Sequence, residues 1–203
     1  MQSEARSGRP VIGRPRSEGS REAILAAVRD LLLKGGYASL TFEGVAKRAG
    51  VSKATIYRWW RSKGELVLEA SGDAIRIGLV PDTGDARADI VAAIDQLIGT
   101  FSNRLASIVI FAAITTAAED RAMAQALRDR IIYPWRRSAA EALERAQERD
   151  ELAHNDIVFL LDLIVGTVFQ RTLVVKDPVV EGLKDNLMAI VLRRRDSGPT
   201  GSG

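Results

Sequence analysis

Residues Lys53, Ala54, Thr55, Tyr57 and Arg58 gather two cations, a phenol, a hydroxyl and a methyl within six positions. On a helix, Ile56 and Trp60 share an inward face at four-residue spacing, and Lys53, Ala54, Tyr57 and Arg58 are left pointing outward. That face suits nucleic acid. Arg58 matches the paired acceptors of a guanine edge, Ala54 a thymine methyl, and Thr55 and Tyr57 phosphate oxygens. Little else in the chain could do chemistry. It has no Cys, which excludes disulfides, thiolate zinc sites and cysteine nucleophiles, and its single His154 excludes a multi-histidine metal site. His154, before Asn155 and Asp156, reads as part of a turn and helix cap. No Ser/His/Asp set, Walker-type loop or zinc spacing is visible, so neither an enzyme, a cofactor nor a metal is expected.

The elements that must hold this face are helical. Ile24, Leu25, Val28, Leu31 and Leu32 trace the stripe of an amphipathic helix closed by Gly35 and Gly36. Phe42, Val45, Ala46 and Ala49 mark a second helix that stops at Gly50, where glycine can adopt a positive φ. Ser52 caps the third, and Ser62-Lys63-Gly64-Glu65 forms a capping box for a fourth through Leu66, Val67, Ala70 and Ala74. Two short helices meeting at Ala49-Gly50-Val51-Ser52 have helix-turn-helix geometry, in which the second enters the major groove. After the break Pro81-Asp82-Thr83-Gly84-Asp85, helical segments are expected near 87–103, 105–118, 121–148, 156–175 and 178–194. The second of these, apolar nearly all round from Ile108 to Ile114, reads as a buried central helix. Pro134 should kink or break the third, and Asp177-Pro178 should start the last. Glu141, Glu144 and Glu148 with Arg137 and Arg145 read as a solvated face with i, i+4 pairing. The run Ile157–Val175 has transmembrane length, but Asp162, Gln170 and Arg171 interrupt it and point to a helix buried among protein neighbours.

Charge divides the chain. Met1 to Lys63 carries 13 Lys and Arg against 5 Asp and Glu, a balance of +8, whereas Gly64 onward has a balance of −5. Only the front should meet a polyanion. In the Gly-, Ser- and Pro-rich stretch 1–19, Arg14 and Arg16 sit in a proline-stiffened backbone. That segment suits either a narrow minor groove or a solvated tail. No apolar stretch of a secretory signal follows these arginines, and the cytoplasm is the expected compartment.

At this point the sequence resembles the TetR family of bacterial transcriptional regulators. The residues that carry the resemblance are Ala46, Ala49-Gly50-Val51-Ser52, Thr55-Ile56-Tyr57, Trp60, Ser62-Lys63 and Leu66, behind a first helix ending Gly35-Gly36-Tyr37. The likeness spans Ser20 to Leu66. It implies an all-α protein: an N-terminal three-helix DNA-binding domain joined to a C-terminal helical ligand-binding and dimerisation bundle. The boundaries follow as a disordered basic arm 1–19, a DNA-binding domain 20–66 (motif 40–59), a connecting helix and loop 67–85, a ligand-binding and dimerisation domain 86–195 and a flexible tail 196–203. It further implies that Thr41 and Lys63 bind phosphates and that Lys53, Ala54, Thr55, Tyr57 and Arg58 lie on the recognition helix. Trp59 stands where the family usually has histidine or tyrosine, and two readings stay open: packing on the DNA backbone or within the fold.

The function this reading leads to is a homodimeric repressor that binds a palindromic DNA operator and is released by a small apolar effector. An architectural DNA-binding protein and a small-molecule carrier on the same fold are the alternatives. The lining expected for the effector is Ile94, Ile98, Phe101, Phe111, Trp135 and Phe159, with Asp162 either orienting the ligand or paired to an arginine. Leu160, Ile164, Val168, Leu183, Leu187 and Ile190, with Gly166 permitting close approach, are the expected dimer contacts. In the family, release follows a pendulum-like shift of the fourth helix.

Overall fold

The computed structural model describes residues 14–75, 77–175 and 182–193, with side chains from residue 18 onward. It is 79% helical and contains no strand among the described residues. The chain divides into two compact units, one ending at Ala70 and the other beginning at Ser71.

The first unit contains α1 (Arg14–Ser39), α2 (Phe42–Ala49), α3 (Lys53–Trp59) and α4 (Lys63–Ser71). Helix α1 begins inside the stretch expected to be a disordered arm: Pro15 falls in its first turn, where a missing N–H breaks no helical bond. Residues 1–13 of that arm lie outside the described residues. Ile24, Leu25, Val28 and Leu32 are buried along one side of α1, and its regular course breaks at Gly36, whose φ is 71°.

The second unit contains α5 (Ala86–Ser102), α6 (Arg104–Thr115), α7 (Arg121–Leu127), α8 (Tyr133–Glu148), α9 (Ile157–Phe169) and α10 (Leu183–Val191). Helix α5 is the hub, packing on α6, α8, α9 and α10. Its Ile90, Ile94, Leu97 and Phe101 are buried, as are Trp135 and Leu143 of α8 and Leu160, Leu161 and Val168 of α9. Pro134 acts as expected: a π turn over Arg128–Ile132 precedes it, so that Tyr133 N–H reaches back to the Arg128 carbonyl. A second π turn, Gln170–Val174, ends α9, where the Thr172 hydroxyl takes up the Val168 carbonyl at 2.6 Å.

Three expectations need correction. Helix α10 begins at Leu183 and not at Pro178, because Gly182 has a φ of 76° that no right-handed helix passes through. Asp177 and Pro178 lie outside the described residues. Helix α6 is not buried all round, since Phe111 and Ile114 are exposed. Arg145 does not belong to a solvated face: it turns inward to Asp89, which is fully buried. Asp89 accepts the Thr83 N–H (3.2 Å) and hydroxyl (2.8 Å) and an Arg145 N–H at 3.0 Å. Arg145 also donates to the Pro81 carbonyl at 3.3 Å, so the loop before α5 is tied to α5 and α8. Burial pushes the Asp89 carboxyl up, but the hydrogen bonds from Thr83 and Arg145 outweigh it and hold the group below its ordinary value.

Asp89→Asn should cost about 3 kcal/mol, because it leaves Arg145 only the exposed Asp82, 3.3 Å away, in place of its buried anion. The sign of the pH dependence follows from the lowered value. The contribution is complete above the unfolded-state carboxyl pKa of about 4 and is lost as pH falls through the folded-state value. Urea midpoints against pH should therefore lose part of their acid limb in the variant.

Candidate nucleic-acid interface

Three of the four ends of the two motif helices are closed by a side chain or glycine that the local sequence supplies, and Trp60 ends α3 in an extended conformation. Thr41 caps α2 from an extended conformation, its Oγ1 accepting the Gly44 N–H at 3.0 Å. The hydroxyl proton stays available to a phosphate oxygen. Gly50 ends α2 with a φ of 67°, and Val51 N–H returns to the Ala46 carbonyl at 3.0 Å. Ser52 caps α3 through the Thr55 N–H at 3.2 Å, and its hydroxyl lies 2.9 Å from that of Thr55. Ser62 accepts the Glu65 N–H at 3.1 Å, while the Glu65 carboxylate accepts the Arg61 N–H at 2.8 Å.

These closures sort the side chains of α3 by face. Ile56 and Trp60 are buried; Lys53, Ala54, Tyr57 and Arg58 are exposed, and Thr55 is half-buried. The two adjacent tryptophans part company: Trp60 is 2% exposed and Trp59 43%. Trp60 Nε1 donates to Glu69 Oε2 at 2.9 Å, and Glu69 also pairs with Arg21 of α1. The Arg21 guanidinium stands 5.8 Å from the Trp59 ring centroid. Trp59 thus presents much of its indole to solvent on the same end of α3 as Arg58. The Lys63 ammonium lies 4.0 Å above the Tyr37 ring.

Two supports were not legible in the sequence. Tyr57, 53% exposed, has its ring 4.8 Å from that of Phe42, and Lys53 forms an ion pair with Glu43. Their hydrogen bond holds the Glu43 carboxyl below and the Lys53 ammonium above their ordinary values. Phe42 and Glu43 begin α2, and only the crossing of α2 with α3 brings them to partners fifteen and ten positions away, respectively. The side chains of Arg14 and Arg16 lie outside the described ones.

The candidate residues of the second unit do not assemble as expected. Ile94, Phe101 and Trp135 are buried, Trp135 Nε1 donating to Gln96 Oε1 at 3.0 Å, and Ile98 is half-buried. Phe111 and Phe159 are exposed, and Asp162 is exposed and paired with Arg136 at 2.9 Å, so these three line no shared interior with the others. An open groove of about 490 Å³ does occur beside the π turn, but its walls are Leu79, Asp129, Tyr133, Pro134, Arg137, Ser138 and Glu141. The dimer expectation is corrected as well. Leu160, Ile164, Val168, Leu183 and Leu187 are buried within the protomer, and of the expected contacts Gly166 and Ile190 are exposed. Helix α9 is apolar on several faces, and periodicity does not say which one meets its own core.

A basic helix-turn-helix face on a helical unit, joined in one chain to a second all-helical unit, defines a DNA-binding regulator. The sequence matches the family "Bacterial regulatory proteins, tetR family" over residues 24–70 and "Tetracyclin repressor-like, C-terminal domain" over 80–191. The uncharacterized HTH-type transcriptional regulator YdeS of Bacillus subtilis is 39% identical over 169 residues, covering 82% of this chain and 85% of that one. The DNA-binding transcriptional repressor TetR of Mycobacteroides abscessus is 38% identical over 84 residues, 40% of this chain and 44% of that one. The crystal structure of the TetR family transcription regulator SCO0332 superposes with a TM-score of 0.55 at 37% identity, covering 85% of this chain and 98% of that one. The chain belongs to the TetR family of bacterial transcriptional regulators. It is therefore a DNA-binding regulator and not an enzyme.

Thr41→Ala should lower stability by about 1 kcal/mol through loss of the α2 cap, and Thr41→Ser should restore most of it. Urea midpoints of the two variants provide the check.

Proposed function

We propose that this protein is a cytoplasmic repressor that binds a near-palindromic operator as a homodimer and is released by a small effector. The observation that carries the reading is the outward face of α3, where Lys53, Ala54, Tyr57 and Arg58 stand exposed above the buried Ile56 and Trp60. On this reading Arg58 grips a guanine edge and Ala54 meets a thymine methyl, while Thr41, Thr55, Trp59 and Lys63 position the backbone. The segment carrying Arg14 and Arg16 adds affinity from the amino end. The repressor role is favoured by the relative from Mycobacteroides abscessus that bears that name. The open groove beside the π turn of the second unit is where a small effector would lodge. Whatever binds there must lower DNA affinity by the factor by which DNA lowers its own.

The dimer is supported by apolar side chains that the protomer leaves uncovered: Val158 and Phe159 of α9 and Ile190 of α10, the last two 48% and 54% exposed. A two-fold axis would bury them against their own copies.

Selection from genomic fragments should recover an enriched palindrome with the wild-type protein. Arg58→Ala should relax preference at one base pair of each half-site, and Lys63→Ala should weaken all sequences alike and reduce the salt slope by about 1. Recovery of no palindrome at moderate salt would overturn the operator reading. Light scattering at micromolar concentration should give a dimer. Phe159→Glu should give a monomer with helicity unchanged, whereas Leu160→Ala should cost about 3 kcal/mol of folding stability.

A further inference from the structure

The pair Glu43–Lys53 is an oddity on a face that meets a polyanion. Both side chains are well exposed, at 67% and 50%, so the pair stabilises folding little. A carboxylate there also repels phosphates. Yet the two groups are joined by a direct hydrogen bond between helices, and the neighbouring residue of α2, Phe42, braces Tyr57 in the same way. Consecutive residues in the first turn of α2 therefore hold two outward side chains of α3 that lie four positions apart.

We propose that Glu43 is a specificity-determining positioning residue, which holds the Lys53 ammonium toward a base edge and away from the phosphate backbone. The inference rests on the reading that α3 enters the major groove. A free lysine is a flexible point charge and goes to the strongest nearby potential, which on DNA is the phosphate backbone and carries no sequence information. Pairing with Glu43 cancels that charge without using up the hydrogen-bonding capacity. An ammonium has three donors, and one on the carboxylate leaves two for guanine O6 and N7 or thymine O4. The second carboxylate oxygen can accept from a cytosine amino group. The mutual shifts, Glu43 down and Lys53 up, keep both groups ionised through the physiological range.

The test uses the full chain as Glu43→Gln, Lys53→Met and the double variant. Each is titrated by fluorescence anisotropy against the wild-type operator and a random duplex of equal length, across a range of salt. Glu43→Gln should bind the random duplex more tightly, with a salt slope steeper by about 0.9. Its operator-to-random ratio should fall at least about fivefold. Base-preference profiles of Glu43→Gln and Lys53→Met should lose the same position in each half-site. In the Lys53→Met background the second substitution should leave the ratio unchanged. A ratio that Glu43→Gln does not lower overturns the inference while the operator reading stands. So does a change of equal size in both backgrounds, because Glu43 would then act only by repelling phosphate. Absence of any operator preference in the wild type overturns the operator reading and this inference with it.

Discussion

A helix of seven residues has too few internal hydrogen bonds to persist alone, so α3 is held by what it buries and by what caps it. Ile56 and Trp60 supply the burial, Ser52 the cap, and the positive φ of Gly50 the turn that sets α3 across α2. The exposed face follows from the buried one. Once Ile56 and Trp60 point inward, the helical period leaves Lys53, Ala54, Tyr57 and Arg58 no other direction. Trp60 also carries a polar atom inward, and Glu69 of α4 satisfies it. The same carboxylate pairs with Arg21, so α1, α4 and the end of the recognition helix share one anion. The orientation of this outward face is therefore tied to the packing of the whole first unit.

The second unit solves a different problem. Its apolar helices pack readily, but the loop that leads into α5 is polar and would otherwise be loose. Asp89 answers this from inside: a fully buried carboxylate draws in Thr83 from the loop and Arg145 from α8, and Arg145 in turn takes the Pro81 carbonyl. A buried charge of this kind is costly unless its partners are present, so the loop is held in the conformation that supplies them. On the outside, Phe159 and Ile190 expose apolar surface that a lone protomer gains nothing from leaving in water.

The local signals of the first unit, and the break before Pro134, were read correctly because the interactions that produce them are local. The caps at Ser52 and Ser62, the glycine turn at Gly50 and the break before Pro134 all involve groups within five residues of one another. So does the division of α3 into an inward and an outward face. The misplacements have the opposite character. Arg145 resembles a surface residue by its i, i+4 neighbours, and its true partner lies 56 positions away. Leu160, Ile164 and Val168 resemble interface residues because α9 is apolar on more than one side, and they face the protomer's own core.

The sequence by itself determined the helical class, the recognition motif, its caps and the basic balance of the first 63 residues, since each follows from composition or from contacts within a turn or two. Tertiary structure alone decided which apolar face of α9 is spent on the core, that Trp59 stays largely exposed, and that Glu43 meets Lys53. These outcomes depend on how helices cross. A crossing brings together side chains whose separation along the chain carries no trace of their distance in space.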